Sequence, residues 1–222
     1  MNAVVISGVV TALLYAVPFG RTLAWPLVLL STLAHELGHG LAAVVFGGRF
    51  ESLVIYVDGS GAARFTGSFG RIATAIVAGA GLVGPAAAAF LLLTFGRKER
   101  RARLLTWCLG AAFVGVALLV VRNMFGFWFV VLLAGSLIFV ATRAVSLAQT
   151  VIVLFAVQLG LSVFSRSDYL FTRTALTASG PMPSDVAVMA GALFLPYWFW
   201  GMVCGSLSVV FLVWGMRVFF RR

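Results

Sequence analysis

Carboxylates are scarce in this chain. Glu36, Glu51, Glu99, Asp58, Asp168 and Asp185 are the only ones in 222 residues, against 16 lysines and arginines. Histidine is scarcer still, with His35 and His39 alone, and the two cysteines, Cys108 and Cys204, lie in separate apolar runs without C-x-x-C spacing. That cysteine pattern excludes a disulfide framework and a thiolate metal site, and leaves both thiols as small packing residues. Charged residues make up only 10% of the chain, 62% is hydrophobic and the mean hydropathy is +1.10, which excludes an ordinary soluble domain. The length allows several spans of about twenty residues each, so the chain reads as a single all-α polytopic membrane domain over 1–222. A net charge of +10 does not point to nucleic acid, because the cations fall mainly at the ends of apolar segments, where they orient a protein in a bilayer. The start, Met1-Asn2-Ala3-Val4-Val5, lacks a basic n-region, so no removable signal peptide is expected.

The apolar runs predict six to seven transmembrane helices, near 3–19, 23–47, 71–95, 104–121, 124–142, 146–164 and 186–216, the last long enough to tilt or break. Arg122-Asn123 interrupts nearly forty apolar residues and predicts a tight turn there. The loop Arg97-Lys98-Glu99-Arg100-Arg101-Ala102-Arg103 holds five cations in seven residues, the strongest positive-inside signal in the chain. It should face the cytoplasm of a cell membrane. Alternating sides from it puts Arg21, Arg143 and the C-terminal Arg217, Arg221 and Arg222 inside as well, with the N-terminus outside.

What is present is concentrated in one place. His35 and His39 stand four residues apart, in Ala34-His35-Glu36-Leu37-Gly38-His39, inside an apolar run. Four residues is about one helical turn, so both imidazoles project from one face and can grip one Zn2+, with Glu36 close enough to act as general base on a water there. Random placement of these residue types would give this arrangement roughly once in several thousand chains. Burying three such groups in a bilayer is costly and marks a functional site. Gly38 and Gly40 flank His39 and let a neighbouring helix or a substrate strand approach.

After this helix, Arg49 to Val57 is rich in β-branched and aromatic residues, Asp58-Gly59-Ser60-Gly61 is turn chemistry, and Ala62 to Thr66 can return as a second strand. A β-hairpin over about 49–67 is expected. It is either an exposed connector or an edge strand that pairs with an extended substrate, since a helix must unwind before its peptide bonds can be cut.

A catalytic zinc keeps three protein ligands and one open position, so one of the few carboxylates must join the histidines. Glu99 lies in the cationic loop, and Glu51 and Asp58 belong to the hairpin. Asp168, in Ser165-Arg166-Ser167-Asp168, follows the sixth span on the side where the zinc helix ends, and is the first choice. Asp185, after Gly180-Pro181-Met182-Pro183-Ser184, has an adequate explanation as a helix N-cap and is the second.

These residues resemble the site-2 protease type of intramembrane zinc metallopeptidases, and in particular its compact bacterial branch. The resemblance rests on Ala34-His35-Glu36-Leu37-Gly38-His39-Gly40, on Gly47-Gly48-Arg49 with the hairpin ending in Asp58-Gly59-Ser60-Gly61, and on Ala78-Gly79-Ala80-Gly81-Leu82-Val83-Gly84-Pro85. It covers about residues 25–95. It implies a multi-pass enzyme that hydrolyses a peptide bond of a membrane-protein substrate in or near the bilayer, with His35 and His39 as ligands and Glu36 as base. Many relatives take a third ligand from an Asn-x-x-Pro stretch ending in Asp-Gly, which this chain lacks; Arg122-Asn123-Met124 offers only the asparagine, to hold a substrate backbone or cap the turn. An aspartate in a Ser-Asp context after a late span looks like the counterpart, which favours Asp168. The alternatives are an inactive membrane scaffold, which would not need Glu36, and a transporter, which would need polar groups distributed along a path.

Overall fold

The computed structural model describes residues 2–16, 19–165, 170–177 and 180–221. In chain order it places α1 (Asn2–Ala16), α2 (Gly20–Leu23), α3 (Trp25–Val45), β1 (Arg49–Ile55), β2 (Gly61–Thr66), α4 (Arg71–Phe95), α5 (Glu99–Leu119), α6 (Met124–Thr142), α7 (Ala148–Ser165), β3 (Thr174–Thr177), β4 (Gly180–Pro183), α8 (Asp185–Leu193) and α9 (Tyr197–Phe220). Six of the described helical segments are long and apolar enough to cross a membrane: Trp25–Val45, Arg71–Phe95, Glu99–Leu119, Met124–Thr142, Val145–Phe164 and Tyr197–Phe220. The protein is a polytopic, mainly helical membrane protein, as its composition requires.

The first apolar run departs from expectation. α1 has 15 residues, about 22 Å of helix against a hydrocarbon core of about 30 Å. Ser7 donates to the Thr150 carbonyl at 3.3 Å, and Gln158 Nε2 donates to Thr11 Oγ1 at 2.8 Å. Both contacts advance in the same sense along both helices, so α1 runs parallel to α7. Seven strictly alternating spans would set the first and the sixth antiparallel. The last run does break, as its length allows: Phe194 closes α8 in a left-handed conformation (φ 65°), and Pro196, which cannot donate a backbone N–H, starts α9.

α4 is the hub, packed against α3, α7, α8 and α9. Small residues allow its close approach to α3. A Cβ on Gly38 would overlap the Ala80 carbonyl, and one on Gly84 would stand 3.1 Å from the Ala34 carbonyl oxygen.

The hairpin forms as its turn chemistry dictates. β1 and β2 pair antiparallel from Arg49↔Thr66 to Ile55↔Gly61, with a register shift between Phe50 and Ser52. Gly59 takes φ 87°, and Tyr56 N–H donates to the Ser60 carbonyl at 2.8 Å to close the turn. The Ser60 hydroxyl and N–H both donate to Asp58, which holds its carboxyl below the usual carboxylate range. The hairpin is more than an exposed connector. Leu53 and Ile55 are fully buried with Leu29 and Leu33 of α3 and Val130 of α6, and Thr32 donates to the Gly59 carbonyl at 2.6 Å. The strands therefore lie back along α3.

The two sides of this sheet differ. β1 is covered on its outer edge by the α5–α6 turn: Leu53 N–H donates to Val120 O at 2.7 Å and Arg122 N–H to Leu53 O at 3.0 Å, a parallel bridge of Leu53 to Val121. The outer edge of β2 makes no backbone hydrogen bond to any described residue.

Candidate metal centre

His35 and His39 lie one turn apart on α3, with ring centroids 4.7 Å apart, planes nearly perpendicular at 88°, and Nε2 atoms 3.1 Å apart. His39 Nδ1 is 2.8 Å from the Val77 carbonyl of α4. A carbonyl can only accept, so Nδ1 carries a proton, and Nε2 is the ring atom that faces His35 and Asp185. Asp185 closes the group from α8, with Oδ2 3.2 Å from His35 Nε2 and Oδ1 3.4 Å from His39 Nε2. One ligand atom from each residue lies within 4.8 Å of the others.

The donor set fits a metal ion. Asp185 Oδ2 is buried, and beyond its 3.2 Å ion-pair contact with His35 Nε2 it has no hydrogen-bond partner among the described residues. Two imidazole nitrogens and a carboxylate oxygen thus converge on one point. That is the arrangement a cation between them satisfies, and N and O ligands of this kind suit zinc.

Local sequence explains how Asp185 reaches this point. Ser184, fully buried, is the N-cap of α8: Ala187 N–H donates to its hydroxyl at 3.2 Å, its hydroxyl donates to Thr172 O at 2.6 Å, and its own N–H donates to Arg173 O at 3.0 Å. Asp185 itself is the first helical residue. The capping role that its position suggested belongs to Ser184, which leaves the Asp185 carboxylate to face the histidines. A first-turn carboxylate is also favoured by the helix dipole.

Asp168, the first-choice ligand from sequence, lies outside the described residues. Glu51 is exposed and accepts from Thr66 Oγ1 at 2.7 Å, Asp58 is held in its turn by Ser60, and Glu99 opens α5 in the cationic loop. None of these three belongs to the metal-ligating group.

Glu36 is 7% exposed and faces the hairpin, where a Cβ on Gly61 would stand 3.2 Å from its Oε1. At the other end of the same strand, the Phe65 ring stacks on His39 with centroids 6.5 Å apart. β2 therefore passes along α3 from Glu36 to His39, beside the centre, with its outer edge unpaired among the described residues.

Against this geometry, the family model for peptidase M50B-like proteins matches residues 5–215. The chain belongs to that family. No curated protein and no solved structure matches it significantly. Membership in the peptidase M50B-like family makes the chain a metallopeptidase, consistent with the site-2 protease type, and its six apolar helices make it a multi-pass membrane protein.

Two contributors to the candidate site had no signal in the sequence. The Val77 carbonyl acts through backbone alone. Gly81 is a packing glycine by sequence, yet an added Cβ would overlap the His39 ring. Gly81→Ala is expected to displace that ring, lower stability by about 1–3 kcal/mol as overpacking does and reduce bound metal. Thermal unfolding with metal analysis of the same sample checks it; unchanged metal content and melting temperature would refute the contact.

Proposed function

We propose that this chain is a zinc-dependent intramembrane endopeptidase in which His35, His39 and Asp185 hold the metal and Glu36 is the general base. The observation that carries the proposal is the convergence of two imidazoles of an apolar helix, which also carries Glu36, with the buried Asp185 carboxylate in a peptidase-family chain. Asp185 takes the place that the sequence alone gave to Asp168.

Zinc bound there would acidify a water and polarise the scissile carbonyl. The chain's own residues do the rest. Glu36 accepts the proton of the attacking water at a carboxylate oxygen and delivers it to the nitrogen of the leaving amine, so it ends the cycle ionised. Its burial against Gly61 keeps it aimed and limits bulk water. Val77 holds His39 in the tautomer that leaves Nε2 free.

The substrate class we assign is an unwound segment of another membrane protein. An extended chain satisfies its backbone groups by adding to the open edge of β2, and β2 leads from Glu36 to His39. The cationic loop at Arg97 to Arg103 favours a cytoplasmic placement of that loop and of the C-terminus in the cell membrane.

Detergent-purified protein is expected to carry about one zinc per chain, and His35→Ala to lose it, by elemental analysis. Wild-type protein without stoichiometric metal would sink the proposal.

A further inference from the structure

We infer that Asn123 is a positioning residue for substrate, clamping the hairpin so that the open edge of β2 is held in register beside Glu36. The inference rests on the strand-addition reading above. Asn123 begins the α5–α6 connection's return into α6, yet its side chain does not cap that helix. Both ends of its amide go to one residue of β1: Nδ2 donates to Ile55 O at 2.6 Å, and Oδ1 accepts from Ile55 N–H at 3.2 Å. Gly126 is small where a Cβ would crowd Oδ1.

The clamp lies at the functional end of the sheet. Ile55 is the register partner of Gly61, and Gly61 is the residue that abuts Glu36. Leu53, two residues earlier, is bridged to Val121 of the same turn. The α5–α6 turn thus serves as a short third strand that seals β1, leaving β2 as the edge open to a substrate among the described residues. The candidate metal ligands come from α3 and α8, and Asn123 bonds to neither. Loosening the clamp should therefore disturb substrate docking and spare the metal.

The test is the KM-against-kcat split with a membrane-protein substrate, together with zinc per chain, in wild type, Asn123→Ala and Asn123→Asp. Asn123→Ala removes two hydrogen bonds and is expected to raise KM about ten-fold, with zinc content and kcat little changed. An ionised Asn123→Asp can accept from Ile55 N–H but cannot donate to Ile55 O. When protonated, its carboxyl regains one donor and one acceptor. The kcat/KM of Asn123→Asp relative to wild type should therefore climb as pH falls toward the carboxyl pKa of about 4, while the same ratio for Asn123→Ala stays flat. A KM unmoved in Asn123→Ala, zinc lost in parallel with activity, or a flat Asn123→Asp ratio overturns the inference alone. A wild type that binds no metal or cleaves nothing overturns the functional reading and this inference with it.

Discussion

Glu36→Gln is expected to lower peptide hydrolysis by about 10²–10⁴-fold, the usual contribution of a positioned general base, while the protein keeps its metal. Glutamine matches the shape of glutamate but cannot take a proton from water at neutral pH. His35, His39 and Asp185 are untouched, and Glu36 is not one of the three gathered groups. Gel-based cleavage of a membrane-protein substrate, with metal analysis on the same preparations, separates the two roles. If Glu36→Gln cleaves at the wild-type rate, the base is elsewhere and the mechanism falls, although the metal site stands. If it loses the metal instead, Glu36 acts as a ligand or holds the histidines.

Asp185→Ala is expected to lose the metal, whereas Asp168→Ala keeps it. Removing a direct ligand should weaken binding by more than the roughly 10–100-fold that loss of an outer-shell partner causes. Only two imidazoles would remain, too few for a stable zinc site. Metal retention during titration with a chelator measures the difference. Metal lost from Asp168→Ala and kept in Asp185→Ala would return the third position to Asp168. Because Ser184 rather than Asp185 caps α8, Asp185→Ala should leave the helix folded, so metal loss would not follow from unfolding.

Much of this protein could be read along the chain because the signals are local. Composition alone makes it a membrane protein. The i, i+4 spacing places His35 and His39 on one face, and Asp58-Gly59-Ser60-Gly61 can be little else than a turn. The length of the run after Asp185 allowed for a tilt or a break, and the break falls at Phe194 and Pro196. The direction of α1 was not legible, since it is set by the contacts Ser7–Thr150 and Thr11–Gln158 across 143 and 147 residues of sequence.

The placement of Asp185 beside the histidines was not legible either, and for a definite reason. Ser167-Asp168 and Ser184-Asp185 are the same dipeptide, one just after an apolar run and the other just before the next. Local chemistry cannot rank them. What brings Asp185 to the histidines is that α8 packs on α4 while α4 packs on α3 through glycine contacts, with Ser184 anchored to Thr172 and Arg173. That β2 and not β1 keeps an outer edge without a backbone partner among the described residues is likewise a tertiary fact, because the α5–α6 turn covers β1. By itself the sequence determined a membrane protein with two histidines and a glutamate on one turn of an apolar helix. The packing of α3, α4 and α8, through contacts too distant in the chain to leave a pattern, brought Asp185 beside those histidines.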